Sequence, residues 1–243
     1  MNALHITRLG LFMKRQLTIN IHSLWIALGA LIGILLLISI SVAYFNPQNL
    51  GGLQEVYITV FYLAGFMFTS KIFYELHSPN RSFAFLTLPV SNIEKLIGAW
   101  LITAPLFALV YLLFIFILTS ISSLIAGHSS ALEIIFNRET LESIGLYLVL
   151  HSIFFLGACT FKGNNFLKTL LWIFLFMMAV LIFAGLLFLL LFGTTSLHIE
   201  NVSPEFQYFM TDVFTKVLSF LFWYVLAPFM LVVSYFKLKE RQV

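Results

Sequence analysis

Hydrophobic residues along the chain fall into long unbroken runs separated by short polar stretches. Six runs stand out: 24–44, 56–76, 96–126, 144–161, 170–192 and 217–236. A bilayer core of about 30 Å takes roughly 20 helical residues to cross, and every run is close to that length or longer. Continuous apolar runs, rather than alternation over about ten residues, select helices over a β-barrel. Only those two structures satisfy their own backbone in lipid. The first run exceeds the 7–15 apolar residues of a typical cleavable leader and follows a long polar segment, so it reads as a span.

Three stretches between or beside the runs have patterns of their own. Residues 1–23 place Thr7, Arg8, Lys14, Arg15, Thr18 and His22 in one arc of a helical wheel, with Ile6, Leu9, Phe12, Met13 and Leu17 opposite. Leu4 and Leu11 intrude on the polar arc. The pattern predicts a basic amphipathic helix at the membrane surface, either a topology anchor or a docking element. In the second stretch, Ser91-Asn92-Ile93-Glu94 matches a capping box ahead of the third run. Pro89 prevents a helix from running through it. A short helix should therefore end before Pro89, and a new one should start after Ser91 and continue into the third run. That run is long enough to tilt, project, or bend at Pro105. In the third stretch, Ser203-Pro204-Glu205 reads as a helix start. Phe206, Phe209, Met210, Val213, Phe214 and Val217 then recur on one side. This is an amphipathic outer helix or an extended start to the sixth span.

Charge sets the orientation. With the N-terminus inside, six spans put eleven of the 13 Lys and Arg on one side with three acids, and two cations with seven acids on the other. The balances are +8 and −5. Lys and Arg follow the positive-inside rule, which predicts both termini in the cytoplasm. Composition agrees with membrane burial: AVILMFWYC make up 61% and DEKR 9% of 243 residues, with mean hydropathy +1.02. Soluble domains carry about 25% charged residues. A soluble enzyme, a disordered chain and a nucleic-acid-binding protein are excluded. The expected fold is all-α, one membrane domain over 1–243 in the cell inner (plasma) membrane, with six transmembrane helices, N-in and C-in.

Candidate chemistry is sparse. Cys159 is the single cysteine, which excludes an internal disulfide and a Cys-based zinc site. The chain contains no G-x-x-x-x-G-K-[ST], H-E-x-x-H or G-x-S-x-G. Lys71 and Glu75, one turn apart, read as a snorkelling i,i+4 pair or as a gating element. His151 falls in the fourth span, either as a functional ionisable group or as a neutral imidazole bonded across a helix interface, for instance to a serine. Cys159 reads as a small packing residue. The sequons at Asn80 and Asn201 fall on opposite sides of the membrane and read as chance matches.

The stretch Arg81-Ser82-Phe83-Ala84-Phe85-Leu86-Thr87-Leu88-Pro89-Val90-Ser91-Asn92-Ile93-Glu94-Lys95-Leu96 resembles the F-L-T-L-P-V-S-x-x-E-K segment of bacterial ABC-2-type transporter permeases. The ending Tyr235-Phe236-Lys237-Leu238-Lys239-Glu240-Arg241 is similar to that of a permease subgroup. The resemblance implies a transmembrane permease subunit of an ATP-driven exporter, with a coupling element between spans two and three that contacts a separate ATPase. It implies an ABC ATPase partner that uses ATP and Mg, and a second permease copy, identical or not. This chain would bind no cofactor and catalyse nothing itself. The expected coupling residues are Arg81, Phe85, Leu86, Pro89, Ser91, Glu94 and Lys95. A rival expectation is a non-transporting six-helix membrane protein, an assembly factor or an intramembrane enzyme, in which His151 would matter.

Overall fold

A computed structural model describes residues 5–19, 21–127, 137–192, 205 and 208–241. Ser203, Pro204, Phe206 and the Asn201 sequon lie outside the described residues. Among the described residues every regular element is helical. In chain order they are α1 (Ile6–Ile19), α2 (Ile21–Phe45), α3 (Gly52–Lys71), α4 (Tyr74–His77), α5 (Ser82–Leu86), α6 (Asn92–Ala126), α7 (Arg138–Thr160), α8 (Asn165–Phe192) and α9 (Thr211–Glu240). Five of them contain stretches long and apolar enough to cross a membrane: Trp25–Phe45, Asn92–Ala126, Arg138–Thr160, Asn165–Leu190 and Thr211–Glu240. The expected second span is less apolar. Its helix α3 carries Gln54 and Glu55 in its first turn, ends at Lys71 and breaks at Ile72-Phe73 before α4.

Local sequence explains several helix ends. The Asn137 side chain accepts from the Thr140 N–H at 2.8 Å and caps α7. Gly127 adopts φ 71° and closes α6. Gly163 and Asn164, at φ 66° and 50°, turn the chain from α7 into α8, a left-handed conformation that Gly and Asn tolerate best. The segment Phe209–Phe214 runs on through Thr215–Phe220 into the body of α9. From Phe209 onward the amphipathic stretch is thus part of that helix.

Two buried clusters hold the bundle. One, at the end where Gln54, Asn137 and Glu139 meet, gathers Leu35, Leu53, Tyr57, Phe61, Tyr111, Leu118 and Tyr147 from α2, α3, α6 and α7. The other, at the end richer in cations, gathers Phe12, Phe73, Phe85, Ile102, Phe155, Cys159 and Leu238. Buried Cys159 is a packing residue. Phe61, Phe66, Phe107 and Tyr147 form a continuous set of ring contacts between the two. By contrast, α8 is apolar all round and its span is almost uncovered by protein.

Helix α6 departs from regular geometry at Pro105, which sits in a π-helical turn, Ile102–Leu106. Proline removes one backbone donor and opens the turn. Two side chains of α7 occupy the opening. The Tyr147 hydroxyl donates to the Thr103 carbonyl at 2.7 Å. The Thr103 hydroxyl donates to the Ala99 carbonyl at 2.9 Å and lies 2.8 Å from His151 Nε2. The expected cross-interface bond of His151 is present, with threonine as its partner. His151 Nδ1 is buried without a partner among the described residues.

Close helix approach fixes two glycines. A Cβ on Gly65 would lie 2.5 Å from the Tyr147 ring, and one on Gly157 would overlap the Thr169 side chain of α8. Gly65→Ala and Gly157→Ala should each destabilise the detergent-solubilised protein by about 1–3 kcal/mol, the cost of overpacking. Gly185→Ala, with open space around it, should be neutral. Thermal unfolding of the three variants checks this.

Candidate coupling site at the basic end

The residues between α4 and α6 fold back onto α1, and the capping box organises them. The Ser91 N–H donates to Glu94 Oε2 at 2.8 Å, and the Glu94 N–H donates to Ser91 Oγ at 3.2 Å. The other carboxylate oxygen, Oε1, accepts the His5 backbone N–H at 2.8 Å. One buried carboxylate therefore satisfies a backbone donor of its own cap and one from a segment 89 residues away. The α1 contact is close: a Cβ on Gly98 would lie 2.7 Å from the Phe12 ring.

Lys95 is equally enclosed. Its Nζ donates to the Leu86 carbonyl at 3.3 Å, satisfying an orphan carbonyl at the end of α5. It also lies 5.2 Å from the centroid of the Phe85 ring, within cation–π range. Phe85 is 1% exposed and makes edge contacts with Phe12 of α1 and with Phe73. The two halves of the predicted element, α5 and the start of α6, are thus joined through buried side chains.

Of the seven expected coupling residues, Phe85, Glu94 and Lys95 are buried, Leu86 and Ser91 half-buried, and Arg81 and Pro89 exposed. The exposed surface of α5 also carries Phe83, Ala84 and Thr87, with Phe83 76% exposed. An aromatic ring so open to its surroundings is not among the residues expected from sequence. The signal was available: positions 83 and 87 are one turn apart and flank the buried 85.

The expected Lys71–Glu75 pair is not formed. Glu75 is buried and pairs with Arg15 of α1, Nη1 to Oε2 at 2.7 Å and Nη2 to Oε1 at 3.2 Å. The helix break at Ile72-Phe73 destroys the i,i+4 register. Arg15 offers a planar fork that matches a carboxylate better than an ammonium does. Lys71 is exposed. Arg15, expected on the polar arc of α1, thereby turns toward the bundle, while Ile6 and Leu11 remain uncovered.

The far side of this end is closed by His77. Its Nδ1 accepts from Arg241 Nη1 at 2.9 Å, which leaves Nε2–H to donate to the Ala158 carbonyl at 2.8 Å. This pairing requires the neutral imidazole. Burial holds the His77 pKa below its ordinary 6.5, and Arg241, Lys162 and Lys168 push the same way against the pull of the Ala158 carbonyl.

Two outcomes follow from this geometry. Glu75→Gln should cost about 2 kcal/mol by removing the charge-assisted pair, read as a lower melting temperature that Arg15→Lys only partly reproduces. For His77 the folded pKa lies below the unfolded one, so the unfolded chain binds the proton more readily. The contribution to stability is complete above about pH 6.5 and declines as pH falls below it. A melting-temperature profile should drop on acidification through that window, and His77→Asn should flatten the drop. No family model, curated protein or solved structure matches the chain.

Proposed function

We propose that the chain is the transmembrane permease subunit of an ATP-driven ABC transporter of exporter type. It would have six spans, both termini in the cytoplasm, and α5 as the element that meets a separate ATPase. The observation that carries this reading is the division of α5 into two faces. One face, with Phe85, is bound through Lys95, Glu94 and Phe12 to α6 and α1. The other, with Arg81, Phe83, Ala84 and Thr87, is open. A partner pressing on that open face would move α5, the start of α6 and α1 together.

The topology is supported by two facts. Helix α3 has 20 residues, about 30 Å at 1.5 Å per residue, the thickness of the hydrocarbon core. The excess of Lys and Arg gathers at the end that carries α1, α4 and α5, as the positive-inside rule requires of the cytoplasmic side. The ATPase partner would bind ATP and Mg and supply the force. This chain would supply the rigid link and, at the Pro105 turn of α6, a place where the link can bend. A second permease copy would complete the pathway.

The test is copurification of the tagged chain from its native membrane in mild detergent, with mass spectrometry of its companions. A stoichiometric ATPase with a phosphate loop is expected. Phe83→Ala and Arg81→Ala should lower its recovery about tenfold, as for residues central to an interface, without changing the melting temperature of the chain. Recovery of the intact chain without any ATPase, under conditions that preserve other ABC complexes, would favour the non-transporting reading. His151 would then be the residue to probe.

A further inference from the structure

The turn between α7 and α8 draws three cations around one imidazole. Arg241 bonds His77 through Nη1 and the Thr160 carbonyl through Nη2 at 3.3 Å. Lys168 donates to the Lys162 carbonyl at 2.6 Å, which holds its ammonium over the turn. His77 experiences the positive charge of all three. No carboxylate answers them among the described residues. The acids of this end are engaged elsewhere: Glu75 with Arg15, Glu240 with Lys237 and Glu94 with backbone N–H groups. The Lys162 ammonium makes no hydrogen bond or ion pair among the described residues, and Lys162 and Lys168 are exposed.

Like charges gathered in this way repel unless an anion sits between them. The setting indicates which anion. The apolar helices α7 and α8 meet at this turn and α9 ends beside it, so the cluster lies at the level of the lipid headgroups. Directly beyond the cations, Leu167, Leu171 and Trp172 of α8 are uncovered by protein. They offer an apolar surface continuous with the charged one, as an acyl chain requires. We propose that Lys162, Lys168 and Arg241 form a headgroup site for an anionic phospholipid, with the phosphate over the α7–α8 turn and a tail along α8. An ATPase partner is not needed for such a site.

The test uses the full-length chain in nanodiscs that contain phosphatidylglycerol and phosphatidylcholine, delipidated stepwise and read by native mass spectrometry. The wild-type chain should retain phosphatidylglycerol in preference to phosphatidylcholine. Lys162→Gln with Lys168→Gln should reduce that preference by roughly tenfold or more, since each cation near an anionic surface is worth about a fivefold factor. The charge-preserving Lys162→Arg with Lys168→Arg should retain it, which separates loss of charge from loss of fold. Lys237→Gln, whose lysine is paired with Glu240, should behave as wild type. Equal retention of the two lipids, or an unchanged preference in the Gln double variant, would overturn the proposal. Displacement of the lipid by inorganic phosphate alone would also overturn it, and would assign the cluster to a free anion.

Discussion

The carboxylate of Glu94 is the constraint on which the basic end depends. A long helix that emerges from a membrane must satisfy its first N–H groups without relying on the hydrocarbon. Here the Ser91 hydroxyl accepts the Glu94 N–H, the Glu94 carboxylate accepts the Ser91 N–H, and its second oxygen binds the backbone ahead of α1. Because Glu94 is buried, this arrangement fixes α1 across α6 and brings Phe12 over Gly98. Arg15 of the same α1 reaches Glu75. The fold of residues separated widely in the chain thus converges on one cap.

Much of this was legible from local rules. The capping box, the interruption at Pro89 and the irregularity at Pro105 each depend on one or two residues and their immediate neighbours, so the sequence alone exposes them. The long apolar runs were equally plain. What escaped were choices among partners. Glu75 had a lysine one turn away and an arginine 60 residues away, and only the tertiary break after Lys71 decides between them. Phe83 and Phe85 look alike in sequence, yet one is open and the other buried. Their difference lies in where α1 and α6 happen to pass. The burial of Glu94 and Lys95 likewise follows from α1 and α5 covering the start of α6, and no pattern within residues 91–95 announces it.

The middle of the bundle follows a different logic from its basic end. There a small set of polar groups gathers at a flaw in α6. A proline opens the helix, Tyr147 bonds a carbonyl at the opening, and His151 meets the Thr103 hydroxyl one turn further along α7. The two helices are therefore matched at a single level by hydroxyl and imidazole groups, with aromatic packing above and below. A buried bond of this kind has no water to compete with it, so it specifies register between α6 and α7 where apolar contacts alone would permit sliding.

The contact between Gly157 and Thr169 makes α8 a cantilever. Its root is held by that crossing, by Asn165 bonding the Ser70 and Ala158 carbonyls and by Phe166 stacking on Phe154, while residues 170–187 are largely exposed among the described residues. The helix has 28 residues, about 40 Å from root to tip. By simple leverage on that length, a tilt of about 5° at the root carries the tip about 3–4 Å. Small adjustments at the basic end are thus magnified along the length of the helix.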